Sequence, residues 1–368
     1  MVKKIIIALV LIILAALLGI GYSDAVIVDR ESDAAGKIDP KEIIFEHLGD
    51  GYGWELPFAH HRRIPLPVIV FGSDGLHIFS SSRVQHGHSY TDGNTTFTIP
   101  TEGENNGKVV EIVNGKEIRP FDISITKNVL AIWITIAIVL SIAFILKKYY
   151  RKNKYKAPRG GLGFIELIVE FIYNGVVKAT LKENAGKFAP FLLTVFFFIF
   201  VMNLLGLIVI FPGGANLTGN IAVTMVLAIL TFLVTNIFGT KHYWKEIFWP
   251  DVPLWLKFPL PIMPMIEIFG MFTKPAALTI RLFANMMGGH MIVIVLTLLI
   301  FIFSAVGGMI TGAGTTVVSV LFSVFMLLID VLVSFIQAYV FTMLSTIFIS
   351  LAQEKEHEEH AEHKTTNA

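Results

Sequence analysis

Apolar and polar residues along this 368-residue chain fall into long blocks, and the blocks predict its elements. Lys3 and Lys4 precede the apolar run IIIALVLIILAALLGIG, which ends near the small residues Ser23 and Ala25. A charged start, an apolar middle and a small-residue close form the layout of a secretory signal peptide. Residues 1–25 are therefore expected to be a signal peptide, the alternative being an uncleaved first membrane helix; either way the next segment is exported.

Residues 26–126 form the one sizeable polar region. Short β-prone runs (IPLPVIVFG, GLHIFSSSRV, TTFTIP) alternate there with turn residues. Asn114-Gly115 separates VVEIV from KEIRPF, and both residues tolerate positive φ, which favours a tight hairpin. A small β-rich exported extension is expected.

From Val129 to Leu146 the run VLAIWITIAIVLSIAFIL approaches the ~20 apolar residues a membrane helix needs. The dense cations of KKYYRKNKYKAPR follow it, and Lys and Arg collect on cytoplasmic flanks, so this helix runs from outside to inside. Residues 162–181 place Glu166, Glu170 and Lys178 at helical spacing among apolar residues. That pattern predicts an amphipathic helix at the cytoplasmic surface, since two carboxylates within one turn disfavour a span.

Two spans are expected at about 188–211 and 217–238, joined by the short uncharged PGGANLTGN. The Trp- and Pro-rich KHYWKEIFWPDVPLWLKFPLP suits the membrane–water interface. Two long apolar segments, 262–305 and 313–351, flank the glycine-rich GGMITGAG. Both exceed what a perpendicular span requires, so strong tilt or a break is expected. Residues 354–368 read as a disordered cytoplasmic tail. The fold class predicted is an all-α polytopic membrane domain over 127–353, with five membrane helices including a long tilted C-terminal hairpin, preceded by the β-rich extramembrane region. Five spans place the exported region outside and the C-terminus in the cytoplasm.

Composition strengthens this reading. Charged residues make up 15% and hydrophobic residues 54% of the chain, whereas soluble domains carry about 25% charged residues. A net charge of +1 gives no general attraction to nucleic acid. With no cysteine, disulfide and thiolate chemistry are excluded. The extension holds six histidines, including the pairs His60/His61 and His86/His88, but without HExxH spacing they read as scattered surface residues rather than metal ligands. GTKHYW at Gly239 lacks P-loop spacing, so no ATP site, cofactor or catalytic residue is expected.

Charges within the last two segments are a different matter. An ionisable residue inside a span costs roughly 2.5–3.5 kcal/mol on insertion scales and by default marks a functional path. The penultimate segment carries Glu267, Lys274, Arg281 and His290, and the last carries Asp330 and the polar Gln337. Lys274 reads as interfacial. Arg281 lies about 30 Å along its helix, which is interior. In an antiparallel hairpin, facing residues have numbers of nearly constant sum. Arg281 with Gln337 gives 618 and His290 with Asp330 gives 620, so one fold-back within the glycine-rich stretch sets both pairs level. Arg281 would then stand beside an uncharged amide, with an imidazole and a carboxylate about 13 Å further out. Glu267 lies on nearly the same side as Arg281 but about 20 Å nearer the cytoplasm. The set suggests two polar approaches separated by a cation that does not titrate in proteins.

At these residues the chain resembles subunit a of F-type ATP synthase. TKPAALTIRLFANMMGGHMIV is similar to that family's signature, with its R-L-F-x-N segment, and FIQAYVFTMLSTIFIS to its last helix. FAPFLLTVFFFIFVMNLLGLI and GFIELIVEFI also fit, so the resemblance covers about residues 120–353 and not the β-rich extension. It implies that Arg281 is the essential arginine facing the ring of c subunits, with Asn285 the motif's asparagine and Gln337 the nearby glutamine. It also implies that Glu267 belongs to the cytoplasmic half-channel, and that His290 and Asp330 form the external pair in the order of mitochondrial forms. The implied role is a non-catalytic, proton-translocating stator subunit in a bacterial inner membrane. Its implied partners are the c-ring, the b subunits of the peripheral stalk, the other ATP synthase subunits and the lipid bilayer.

Overall fold

A computed structural model of the chain describes residues 49–55, 63–84, 88–93, 95–100, 105–113, 115–153, 156–208, 214–249 and 262–353. Residues 55, 63, 262, 290, 293–294 and 297–313 are described by backbone alone. The expected signal peptide, the C-terminal tail and the pair His60/His61 fall outside the described residues. The chain forms two compact units: Met1–Ile136 with Leu204–Leu217 and Gly288–Val331, and Ala137–Asn203 with Thr218–Met287 and Leu332–Ala368.

The polar region folds as small antiparallel sheets, as its alternating runs require. Strands β1 (Gly53–Glu55) and β2 (Arg63–Pro65) pair with each other. Strand β3 (Pro67–Gly72) lies between β4 (Gly75–Ser80) and β9 (Phe121–Asp122). A four-stranded meander runs β5 (Tyr90–Asp92), β6 (Thr95–Thr98), β7 (Val110–Val113) and β8 (Lys116–Ile118). The expected hairpin at 114–115 is present: Val113 pairs with Lys116, and Gly115 takes φ +75°.

Side chains alternate between the faces of a strand, so Val68 and Val70 of β3 and His77 and Phe79 of β4 point inward. With Tyr52, Val84, Phe97 and Val109 they make the core. Phe97 is fully buried, its ring 5.4 Å from that of Phe79 and 5.0 Å from that of His77. Phe97→Ala is therefore expected to destabilise the extension by about 3–5 kcal/mol. Denaturant-dependent proteolysis of the extension in the purified full chain measures this; a loss below about 1 kcal/mol contradicts the packing.

Buried polar groups here are matched in pairs. The Glu111 carboxylate accepts from the Ser73 backbone N–H at 3.0 and 3.3 Å and from its hydroxyl, tying β7 to the β3–β4 turn. Gly72 leaves room for it, since a Cβ there would lie 3.1 Å from Glu111 Oε2. His77 Nδ1 lies 2.9 Å from Asp92 Oδ2, with Thr95 Oγ1 3.4 Å from its Nε2. This histidine is thus a cross-link between strands, and among the described residues no three potential metal ligands cluster. The Tyr52 hydroxyl donates to Asp122 Oδ2 at 2.5 Å. Burial first, and that bond second, hold its phenol above the ordinary range.

The extension is rooted in helix α1 (Lys127–Lys152). Gly51 O accepts from Lys127 N at 2.9 Å and Asp50 Oδ1 from Asn128 N at 3.2 Å, which satisfies donors that a helix start leaves unpaired. Helix α2 (Gly161–Ile172) continues through a wide turn at Tyr173–Lys178 to Leu181. Lys182, at φ +47°, breaks it before α3 (Ala185–Leu207). Along α2, Phe164, Leu167 and Phe171 gather within about 60° of one side and Glu166 and Glu170 turn away from it; Phe171 also packs against the rings of Phe335 and Tyr339. Helix α4 (Ile221–Ile237) starts on an Asn220 cap, and α5 (Lys241–Phe248) starts on a Thr240 cap, turned 105° away.

Helix α6 runs from Ile262 to Gln353. Its backbone stays helical through GGMITGAG, where the sequence suggests an interruption. In an apolar medium no water competes for the amide groups of small residues, so the helical bonds persist. Among the described residues, three helical stretches are long and apolar enough to cross a membrane (Lys127–Lys152, Gly161–Leu207 and Gly314–Gln353), or four if α4 and α5 count together. The expected count of five is larger, because it also takes in the first leg of α6, part of which is described by backbone alone.

Candidate functional site

A straight helix of 92 residues would measure about 140 Å. Helix α6 does not extend that way. In the first unit the Asp330 carboxylate lies against Gly289, so closely that a Cβ placed on the glycine would be 2.9 Å from Asp330 Oδ1. In the second unit Lys274 Nζ sits 5.4 Å from the centre of the Phe348 ring. Each unit thus brings one point of the first part of α6 against one point of its last part. The paired numbers add to 619 and 622, close to the 618 and 620 read from the charges.

Asp330 thus stands beside the residue that precedes His290, whose side chain lies outside the description. Among the described residues, Asp330 Oδ2 and Ser319 Oγ are buried without a hydrogen-bond partner. Ser319, Ser323 and Asp330 fall within about 40° of one helical face, and both serines are buried. Unpaired buried polar atoms of this kind call for water or a partner. Sequence reading overlooked Gly289 and the two serines. Their signal was present as a glycine next to His290 and as hydroxyls spaced four and seven residues apart ahead of Asp330.

Arg281 occupies the opposite kind of position. Leu278, Leu282 and Met286, at four-residue spacing, bury one face of its leg, while Arg281 itself is exposed. Among the described residues its guanidinium has no hydrogen-bond or ion-pair partner. Its exposed neighbours one turn away are small. Ala277 and Ala284 sit one turn before and after it, both exposed, and Gly270 lies within about 20° of the same line. A Cβ on Gly270 would meet nothing within 4 Å. Small residues let another helix approach closely. Asn285, one turn beyond Arg281, is half-buried.

Gln337 is half-buried on the returning leg. Among the described residues no hydrogen bond joins it to Arg281. Glu267 is half-buried as well, and it is one of the carboxylates whose charge reaches Tyr243. Tyr243 lines a cleft with Thr231, Thr235, Asn236, Lys274 and Phe348, and its hydroxyl lies 3.3 Å from Asn236 Oδ1. Lys274, read as interfacial from the sequence, lines this largely apolar cleft and sits over the Phe348 ring.

Residues 129–350 match the family described as ATP synthase A chain, and residues 43–127 match a domain of unknown function, DUF8433. ATP synthase subunit a of Chlorobium phaeobacteroides is 44% identical over 251 residues, covering 66% of this chain and 69% of that protein. The subunit a of Chloroherpeton thalassium is 44% identical over 253 residues, covering 67% and 71%. That of Myxococcus xanthus is 40% identical over 250 residues, covering 65% and 77%.

Proposed function

The chain belongs to the ATP synthase A chain family, and from that premise we propose that it is the proton-translocating stator subunit of an F-type ATP synthase. It works against a ring of c subunits in a bacterial inner membrane, with the extension outside and the C-terminus in the cytoplasm. Five membrane helices carry it, the last two being the tilted legs of α6. The b subunits of the peripheral stalk hold it against the ring.

The observation that carries this reading is Arg281, exposed and unpaired among the described residues, with small side chains one turn to either side. A guanidinium turned toward lipid is costly. A passing carboxylate on a closely approaching helix removes that cost. Protons enter past His290 and Asp330, assisted by Ser319 and Ser323, and load the ring carboxylate. They leave near Glu267 through the cleft beside Tyr243. Arg281 attracts each deprotonated carboxylate and bars direct leakage between the two half-channels, with Asn285 and Gln337 fixing its surroundings. A histidine and a carboxylate can both relay protons, while the arginine cannot. Each charge crossing 100 mV delivers about 2.3 kcal/mol, which a leak would waste.

Affinity purification of the full chain from native membranes tests this. A ring of small hairpin subunits is expected to accompany it, and vesicles holding the complex are expected to make ATP when a proton gradient is imposed. A chain that purifies without such a ring and moves ions alone would sink the proposal.

A further inference from the structure

The extension has a second surface that the proton path leaves unused. Residues directly opposite each other in antiparallel strands share a face. The register pairs Ile69 with Ile78, and Phe71 with both Leu76 and Phe121. Ile123 N donates to Ile69 O at 2.9 Å, which brings Ile123 onto the same face. The inner face of this sheet holds the buried Val68, Val70 and Phe79. On the outer face Phe71 is 48% exposed, Leu76 51%, Ile78 63%, Phe121 70% and Ile123 51%. Soluble surfaces rarely leave so many large apolar side chains contiguous.

Where the sheet is rooted says what covers this face. The β3 ladder continues past β9, with Ile125 N donating to Pro67 O at 3.2 Å, two residues before α1 begins. The bonds from Lys127 N to Gly51 O and from Asn128 N to Asp50 Oδ1 join the same helix start to the domain. Between Ile123 and the span at Val129 the chain reaches about 20 Å at most. Trp133, in the second turn of α1, is 65% exposed, and tryptophan favours the membrane–water interface. Arg119, exposed two residues before Phe121, offers a cation to lipid phosphates.

We propose that the outer face of the β3–β4–β9 sheet rests on the lipid headgroup layer beside the outer end of α1, making the extension a membrane-seated foot. The apolar side chains of Phe71, Leu76, Ile78, Phe121 and Ile123 enter the interface continuously with the lipid-facing side of α1. This rests on α1 crossing the membrane and not on the proton path.

The chain has no cysteine, so Ile78→Cys and Phe121→Cys each provide a single thiol on an exposed side chain, and Leu76→Cys a third. Lys116→Cys, on exposed β8, is the reference. Each full-length variant is labelled with an environment-sensitive fluorophore and reconstituted into phosphatidylethanolamine–phosphatidylglycerol vesicles. Nitroxide-bearing lipids are expected to quench labels at 76, 78 and 121 several-fold more than the label at 116, with iodide showing the reverse order. Equal lipid quenching at all sites overturns the proposal. Shielding from both quenchers, which would indicate another part of this chain, overturns it too, as does cross-linking to a second copy or another subunit through residue 78.

Discussion

Arg281→Ala is expected to abolish ATP synthesis driven by an imposed proton gradient, by at least about 100-fold, which corresponds to about 2.7 kcal/mol of lost coupling. Nothing about the internal packing of α6 predicts such a loss. Arg281 lies on the exposed side of its leg, away from the stripe of Leu278, Leu282 and Met286. Its removal therefore leaves the chain's fold intact, and the ring is expected to copurify as before. What disappears is the fixed positive charge between the two polar approaches. On the proposed mechanism a ring carboxylate then loses its counter-charge, and protons are expected to pass between half-channels without turning the ring. Arg281→Lys is expected to fail nearly as badly, because an ammonium is a compact point charge that loses its proton when desolvated, whereas the guanidinium stays charged. Gradient-driven synthesis and passive proton permeability in the same vesicles separate the effects. Retained synthesis in Arg281→Ala refutes the assignment.

The sequence spelled out some of this architecture and concealed the rest, for reasons visible in particular residues. Constant-sum arithmetic set Asp330 level with His290, and the structure puts its carboxylate against the neighbouring Gly289, because charged residues in an apolar run report register. The Gly115 hairpin was legible because positive φ is a local demand. The outward position of Arg281 followed from the family resemblance and not from periodicity. Exposure depends on which face of a leg the other leg covers, and both faces are apolar in sequence. In lipid the hydrophobic period no longer separates core from surface, since the solvent is as apolar as the core. The role of His77 was hidden for another reason, since its partner Asp92 belongs to a different sheet.

A second loss of function is expected from a methyl group. Gly289→Ala would set a Cβ 2.9 Å from Asp330 Oδ1, nearer than real Cβ contacts come. The obstructing atom is the tip of a side chain rather than backbone, so the carboxylate turns aside at little cost in stability. Assembly with the ring should survive, while the proton relay loses its alignment. Asp330→Asn keeps the shape of the side chain and removes its ability to carry a proton; a positioned acid–base group is worth about 100-fold or more, so a loss of that order in gradient-driven synthesis is expected. Gly289→Ala should fall between wild type and Asp330→Asn. The decisive measurement is the double variant, because residues acting through one another are non-additive. If Gly289 matters only by leaving Asp330 in place, adding Gly289→Ala to Asp330→Asn costs nothing further. Independent, multiplying losses would instead mean that the glycine serves the backbone of α6, and that the carboxylate it touches is not the point of contact that matters.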